Sequence, residues 1–410
     1  MSQNYDIVVG IPTYNEAPTI GSVTQIVGAG LLRHFPNERS IIVNCDNSSP
    51  DGTQEAFLAA ESKVDRHCLT TPPGVTGKGN NLLNLFRYSL EVGARAIIAV
   101  DGDLRSITPE WIEYLAFPIL EGYDYVTPVY SRNQFDGAIT NHICFPLLMG
   151  LTGNDIRQPT GGEFACSRDL CRHWMEQDWS DDARHYGADI FLSLHALNSS
   201  FKVCQAGLGA KIHKASTPKL GCMFDEIVHT LFSTLVKMKA TWYDGWRPTG
   251  DDPLGQGRIR STDVTGEKKL QQPQWLDVNI LKLKSDCRRE FHAHQNLVQR
   301  FLSPYAYRQI SNMVSMDYYN IDLMLWSQIV YSALYLYETV EESARQDVIN
   351  FLKPIYLMRS LAFNYKSWRY DILFSEEEVK NQALGFMAQK PYLFGLYLGA
   401  DATAEINPQV

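Results

Sequence analysis

Asp101-Gly102-Asp103 sets two carboxylates one residue apart, directly after the apolar run Ala96–Val100, whose composition suits a buried β-strand. At the exit of a strand such a pair is costly unless a cation sits between it and something else anionic. Mg2+ or Mn2+ bridging to a diphosphate meets that need, because a hard cation prefers oxygen ligands and takes only one or two of them from the protein. A solvated Asp-Gly turn with capping acids fits the same letters. Pro12-Thr13-Tyr14-Asn15-Glu16 is a polar turn before a helix, suited to gripping a base and ribose through main-chain groups and a carboxylate. Asp46-Asn47-Ser48-Ser49-Pro50-Asp51-Gly52-Thr53 is another such turn, crowded with acceptors. Gly77-Lys78-Gly79-Asn80 lacks the spacing and the hydroxyl of a Walker loop, yet a lysine between glycines at a helix start brings charge and free N–H groups close to a nucleotide. Singly, each also reads as an ordinary capping loop or exposed turn. Gathered at one sheet edge, they favour a ligand site.

The elements that must gather them are legible as an alternation. Asp6–Ile11, Ser40–Asp46, Ala96–Val100 and Tyr125–Tyr130 are strand-like, and Thr19–Ala29, Thr53–Glu61, Asn80–Gly93 and Pro109–Leu120 have helical spacing, with caps at Thr53 and Thr108-Pro109. Such alternation predicts an α/β fold, a mostly parallel sheet with helices on both faces and ligands beyond the carboxyl ends of its strands. From Trp246 to about Trp275 the chain turns rich in Gly, Pro and charge, and from Arg289 to Leu398 it is aromatic and helical in period. The expected organisation is a catalytic domain over 1–245, a linker or long loop over 246–288 and a helical extension over 289–410.

The ordered set PTYNE, DNSSPDGT, GKGN, DGD and Pro159-Thr160-Gly161-Gly162-Glu163-Phe164 resembles the GT-A family of nucleotide-sugar glycosyltransferases. More narrowly, it is similar to the retaining glucosyl-3-phosphoglycerate synthases and their mannosyl- and glucosylglycerate-forming relatives, over roughly residues 5 to 220. The resemblance implies a GT-A, Rossmann-like sheet with an appended C-terminal helical region. It implies that Pro12, Thr13, Tyr14, Asn15 and Glu16 hold the nucleoside, with Ser48, Lys78 and Asp101 assisting, and that Gly161 and Gly162 let the sugar approach the backbone. Asp103 would be the direct ligand of Mg2+ or Mn2+, and His213 in Lys211-Ile212-His213-Lys214-Ala215 falls where the family places a second one. Glu163 and Asp189 would stand with Asp103 in the catalytic centre, Asp189 being a shorter carboxylate where the family has Glu.

Two departures bear on the acceptor. The family's Gly-Arg-x-Thr reads Gly137-Ala138-Ile139-Thr140 here, and its Arg-x-His-x-Asn reads Lys211, His213, Ala215. Phosphate wants charge-assisted, preferably bidentate donors. The loss of two argues against a phosphorylated acceptor, whereas Thr140 with Lys211 or Arg132 could grip a bare carboxylate such as that of glycerate. The expected activity is transfer of a hexose from a nucleoside-diphosphate sugar to a small hydroxy-acid or sugar acceptor, with retention, as in glucosylglycerate-type compatible-solute synthesis. A nucleotide-sugar-binding sensor or scaffold and a sugar-1-phosphate nucleotidyltransferase are the competing readings.

Bulk properties narrow the classes. The net charge of −9 argues against general binding to a nucleic-acid backbone. Eight scattered cysteines show no zinc-knuckle spacing and read as reduced thiols. Ile321–Tyr337, the most membrane-like stretch, is interrupted by Asp322, Ser327 and Gln328 and falls short of a span. The expected protein is cytoplasmic, with a homo-oligomer left open.

Overall fold

The protein was analysed as a computed structural model, which describes residues 4–213, 220–244, 258–267, 269–273 and 276–399. Its sheet is built from β1 (Ile7–Thr13), β2 (Ser40–Asp46), β3 (Asp65–Thr70), β4 (Ala96–Ala99), β5 (Tyr125–Ser131), β6 (Phe164–Ser167), β7 (Val203–Ala210) and β8 (Val264–Gly266), in the spatial order β3-β2-β1-β4-β6-β5-β7-β8. Among these strands only β6 runs against its neighbours, pairing antiparallel with β4 and β5. The first four crossovers carry α1 (Ala17–His34), α2 (Thr53–Ala59), α3 (Lys78–Glu91) and α4 (Pro109–Leu120).

Side-chain alternation divides the core in two, as a sheet covered on both faces requires. In β1, Ile7, Val9 and Ile11 join Ile20, Val27, Ile112 and Leu115 on one face, while Val8 joins Leu82, Phe86 and Trp174 on the other. The predicted strands and helices of the first 130 residues are present within a few residues of their expected ends. Pro109 opens α4 after Thr108, as expected. Thr53 does not cap α2: Gly52, with left-handed backbone, takes that position, and the Thr53 hydroxyl accepts the Glu16 N–H at 2.9 Å. The short strands β3 and β6 had no counterpart in the sequence reading. Asp65–Thr70 is a half-exposed edge strand of mostly polar residues, and Phe164–Ser167 is too brief to show a period.

The chain divides into two compact units whose boundaries differ from those drawn from composition. One comprises Met1–Arg132, Ile156–Thr230 and Thr262–Gln274, and the other Asn133–Asp155, Leu231–Ser261 and Trp275–Val410. Two local features explain the difference. The apolar run Phe145–Thr152 is a helix of the second unit, where Phe145 and Met149 pack with Phe363 and Ala383. The expected linker supplies β8, which pairs in parallel with β7, and the helix Ile280–Phe301 already starts inside it. Residues 246–257 of that linker lie outside the described residues. The second unit is helical, as expected of the C-terminal region, with Leu323–Thr339, Arg345–Ser367 and Ile372–Ala388 among its longer helices. Among the described residues no helix is long and apolar enough to cross a membrane, and six of the eight cysteines are buried free thiols.

Candidate active site

The antiparallel turn of β6 fixes the layout of the site. The parallel strands deliver their last residues to one edge: Thr13 from β1, Asp46 from β2, Asp101 after β4, Arg132 after β5 and Lys211 after β7. Because β6 runs the other way, its first residue arrives there, with Phe164 registered against Ala99 and Glu163 just before it. The reversed strand therefore sets Glu163 beside Asp101, whose N–H donates to Glu163 Oε1 at 3.4 Å.

Between these acids stand two lysines. Lys211, 8% exposed, donates to Glu163 Oε2 at 2.7 Å and Oε1 at 3.1 Å, to the Gly161 carbonyl at 2.8 Å and to Asp101 Oδ2 at 3.3 Å. Lys78, at the start of α3, donates to Asp101 Oδ1 at 2.9 Å and to the Gly162 carbonyl at 3.0 Å, and its Nζ lies 3.4 Å from Asp189 Oδ1. The Tyr130 hydroxyl donates to Glu163 Oε2. The result is a ladder of alternating charge, Glu163–Lys211–Asp101–Lys78–Asp189. Asp189 Oδ1, its far end, is buried and accepts no hydrogen bond.

The ladder shifts its own titrations. Burial would raise the Asp101 carboxyl, but the ammonium groups of Lys78 and Lys211 outweigh it and hold Asp101 well below the usual carboxylate range. Burial would likewise lower Lys78, and the charges of Asp101, Asp189 and Glu163 reverse this and raise it. Glu163 goes the other way. Burial pushes it up to about 7, with Asp101 adding to the push while Lys211 and Lys78 oppose it.

Gly161 and Gly162 are closely surrounded by protein. Gly162 has φ +98°, and a Cβ there would come within 2.5 Å of Asp101 Oδ2 and 2.9 Å of Lys211 Nζ. Gly162→Ala is therefore expected to lower stability by about 1–3 kcal/mol through backbone strain and a displaced ion pair. A thermal melt beside an activity assay checks this, and unchanged values in both would contradict the crowding.

The residues expected at the nucleoside form a second network. Asp46 accepts from Thr13 Oγ1 at 2.8 Å, from Ser49 Oγ at 2.6 Å and from Ser49 N at 2.7 Å, and Ser49 Oγ in turn accepts the Asn15 N–H at 2.8 Å. Asn15 and Ser48 are two of three non-glycine residues with left-handed backbone among the described residues. Strain of this kind concentrates at binding loops. Pro12 and Thr13 are buried, Glu16 is partly exposed at the head of α1, and Tyr14 projects outward, 48% exposed. Asp46 and Tyr130 were not singled out from sequence. Asp46 was one acceptor among several in its loop, and Tyr130 closed a strand-like run that read as core.

The DGD turn runs alongside the segment that carries His213. The Arg105 N–H donates to the Ile212 carbonyl at 2.9 Å, and the Ile212 N–H donates to Ser106 Oγ at 2.9 Å. Arg132 Nη2 lies 3.4 Å from His213 Nε2. Among the described residues no three His, Cys, Asp or Glu side chains gather into a metal-holding group. A carboxylate and an imidazole at Asp103 and His213 suit Mg2+ or Mn2+ only as a site completed by ligand oxygens. Lys211, expected at the acceptor, is instead committed to Glu163, Asp101 and Gly161. Thr140 lies in the second unit, buried in the π-helical turn Thr140–Cys144, and Ala215 is outside the described residues.

Comparison with known families matches residues 8–174 to the family model of glycosyl transferase family 2. This segment, less than half of the chain, is similar to glycosyl transferase family 2 domains. It spans β1 to β6, contains Lys78, Asp101, Asp103 and Glu163, and has the GT-A fold expected from sequence. No curated protein matched the chain. Among solved structures, the chain is similar to glucosyl-3-phosphoglycerate synthase from Mycobacterium tuberculosis, in complex with Mn2+, uridine diphosphate and phosphoglyceric acid. The identity is 24%, with 56% of this chain and 78% of that one covered, at a TM-score of 0.47. A mycobacterial protein aligns at 24% identity over 64% of this chain and 85% of its own, with a TM-score of 0.46. The matched segment supplies every rung of the ladder except Lys211 and Asp189, which follow it in the chain.

Proposed function

We propose that this glycosyltransferase moves a hexose from a nucleoside-diphosphate sugar to a small hydroxy-acid or sugar acceptor, most simply glycerate or a glycerate derivative, with retention of anomeric configuration. The observation that carries this reading is the ladder, which presents alternating lysines and carboxylates beside the DGD turn in a chain similar to glycosyl transferase family 2 domains over residues 8–174. Pro12–Glu16 and Ser48 hold the nucleoside, and Asp189, whose Oδ1 faces Lys78 Nζ at 3.4 Å, orients a sugar or acceptor hydroxyl. Asp103 and His213 would hold Mg2+ or Mn2+, which when bound neutralises charge on the departing diphosphate. In the transfer the bond from the anomeric carbon to the diphosphate oxygen breaks and the acceptor oxygen bonds to the same face. The acceptor proton passes to the leaving phosphate, so no side-chain nucleophile is needed.

On the acceptor side, Arg132 carries the reading. With Lys211 consumed inside the ladder and the family's arginine replaced by Ala138, a bare carboxylate is better matched than a phosphate, whose double charge needs several donors. The test is a donor-by-acceptor matrix: UDP- and GDP-glucose and -mannose against glycerate, 3-phosphoglycerate and glucosylglycerate, with and without Mg2+ or Mn2+. NMR of the product gives the anomeric configuration. Transfer is expected only with metal, and glycerate should exceed 3-phosphoglycerate in kcat/KM. Absence of transfer from every donor, or inversion, would defeat the proposal.

A further inference from the structure

Tyr130 lies beneath the ladder, with no exposed surface, at a point where the register between β5 and β7 shifts. A register shift of this kind re-aims a side chain relative to its strand. Here it turns the Tyr130 hydroxyl toward Glu163 Oε2. The ring is clamped on the other side by Trp111, with centroids 5.6 Å apart, and the Tyr130 carbonyl accepts from Gln158 Nε2 at 3.1 Å. Lys211 Nζ stands 5.2 Å from the ring centroid, within cation–π range.

The hydroxyl is not needed to satisfy Glu163. Lys211 already provides a donor to each carboxyl oxygen, and phenylalanine would fill the same apolar space. What the hydroxyl adds is direction. The Lys211 ammonium shares three N–H groups among four acceptors, so a second donor on Oε2 fixes the carboxyl plane and keeps Oε1 toward the Asp101 N–H. Since Asp101 also pins Lys78, the orientation of Glu163 is passed along the ladder.

We infer that Tyr130 is a positioning residue for the transfer, acting through Glu163 to hold Asp101 and Lys78 in register with the donor. The inference rests on the proposed glycosyl transfer and deepens it. Four variants test it: Tyr130→Phe, Glu163→Gln, the double variant, and Tyr125→Phe as a control. Tyr125 occupies the same strand but bonds Ser193 rather than a ladder carboxylate. Donor hydrolysis and transfer are measured with UDP-glucose and GDP-mannose, below the melting midpoint of every variant.

Tyr130→Phe is expected to lower kcat roughly 10-fold, a modest misplacement effect, and to leave the donor KM within about twofold, the mark of an interaction felt in the transition state. Tyr125→Phe should keep the wild-type kcat. Because Tyr130 acts through Glu163, the double variant should be no slower than Glu163→Gln. A Tyr130→Phe protein with wild-type kcat, or losses that simply multiply in the double variant, overturns the inference while the functional reading stands. A wild-type chain that uses none of the UDP- and GDP-linked glucose and mannose donors overturns the functional reading and the inference with it.

Discussion

Asp103→Ala is expected to lower kcat by about 10³-fold, the scale of losing a principal electrostatic contributor to a transition state. The two acids of the DGD turn divide the work. Asp101 is bound on one oxygen by Lys78 and on the other by Lys211, so its charge is absorbed within the protein. Asp103 is the acid assigned to the cation under the proposed function. Two measurements separate this from a folding defect. Mn2+ binding, followed by electron paramagnetic resonance with UDP present, should be lost in Asp103→Ala, while the thermal midpoint should move little because the side chain is partly exposed. Asp103→Ala with wild-type turnover and unchanged metal dependence would remove the centre of the proposal.

Lys211→Met should have the largest effect on stability. The change leaves Glu163, 1% exposed, and one oxygen of Asp101 facing a buried void of positive charge. Removing one partner of a buried pair costs about 3–5 kcal/mol, mainly because the other is stranded. The sign can be checked by a second substitution. Adding Glu163→Leu removes the stranded group, so the double variant should recover much of the loss in a urea titration, even though it lacks the carboxyl that transfer is proposed to need. If Lys211→Met melts like the wild type, Lys211 is not the internal counter-ion described here and its assignment to an acceptor returns.

How much of this was legible from sequence follows from what each signal depends on. β1, β2 and β4 declared themselves because a strand buried on both faces reads as an unbroken apolar run, and the turns beyond them because loop chemistry is local. β3 and β6 gave no such signal, since edge exposure and a four-residue length erase periodicity. The chemical types at Lys78, Asp101, Glu163 and Lys211 were visible, but their pairing was not. The ion pair between positions 211 and 163 depends on a reversed strand whose direction is decided by packing. Lys211 therefore read as an acceptor ligand by position in a motif, when its neighbours in space are acids. The mixed unit boundaries were hidden for a related reason: nothing in the composition of Asn133–Asp155 says that its apolar helix belongs with residues two hundred positions onward.

The direction of β6 has one more implication. A side chain placed at the tail of a strand depends on everything upstream being threaded correctly, but Glu163 sits at the head of one that is laced on both flanks, to β4 and to β5. Its anchorage lies downstream, in the lacing of β6 to β4 and β5, rather than in the Asn133–Asp155 stretch that precedes it.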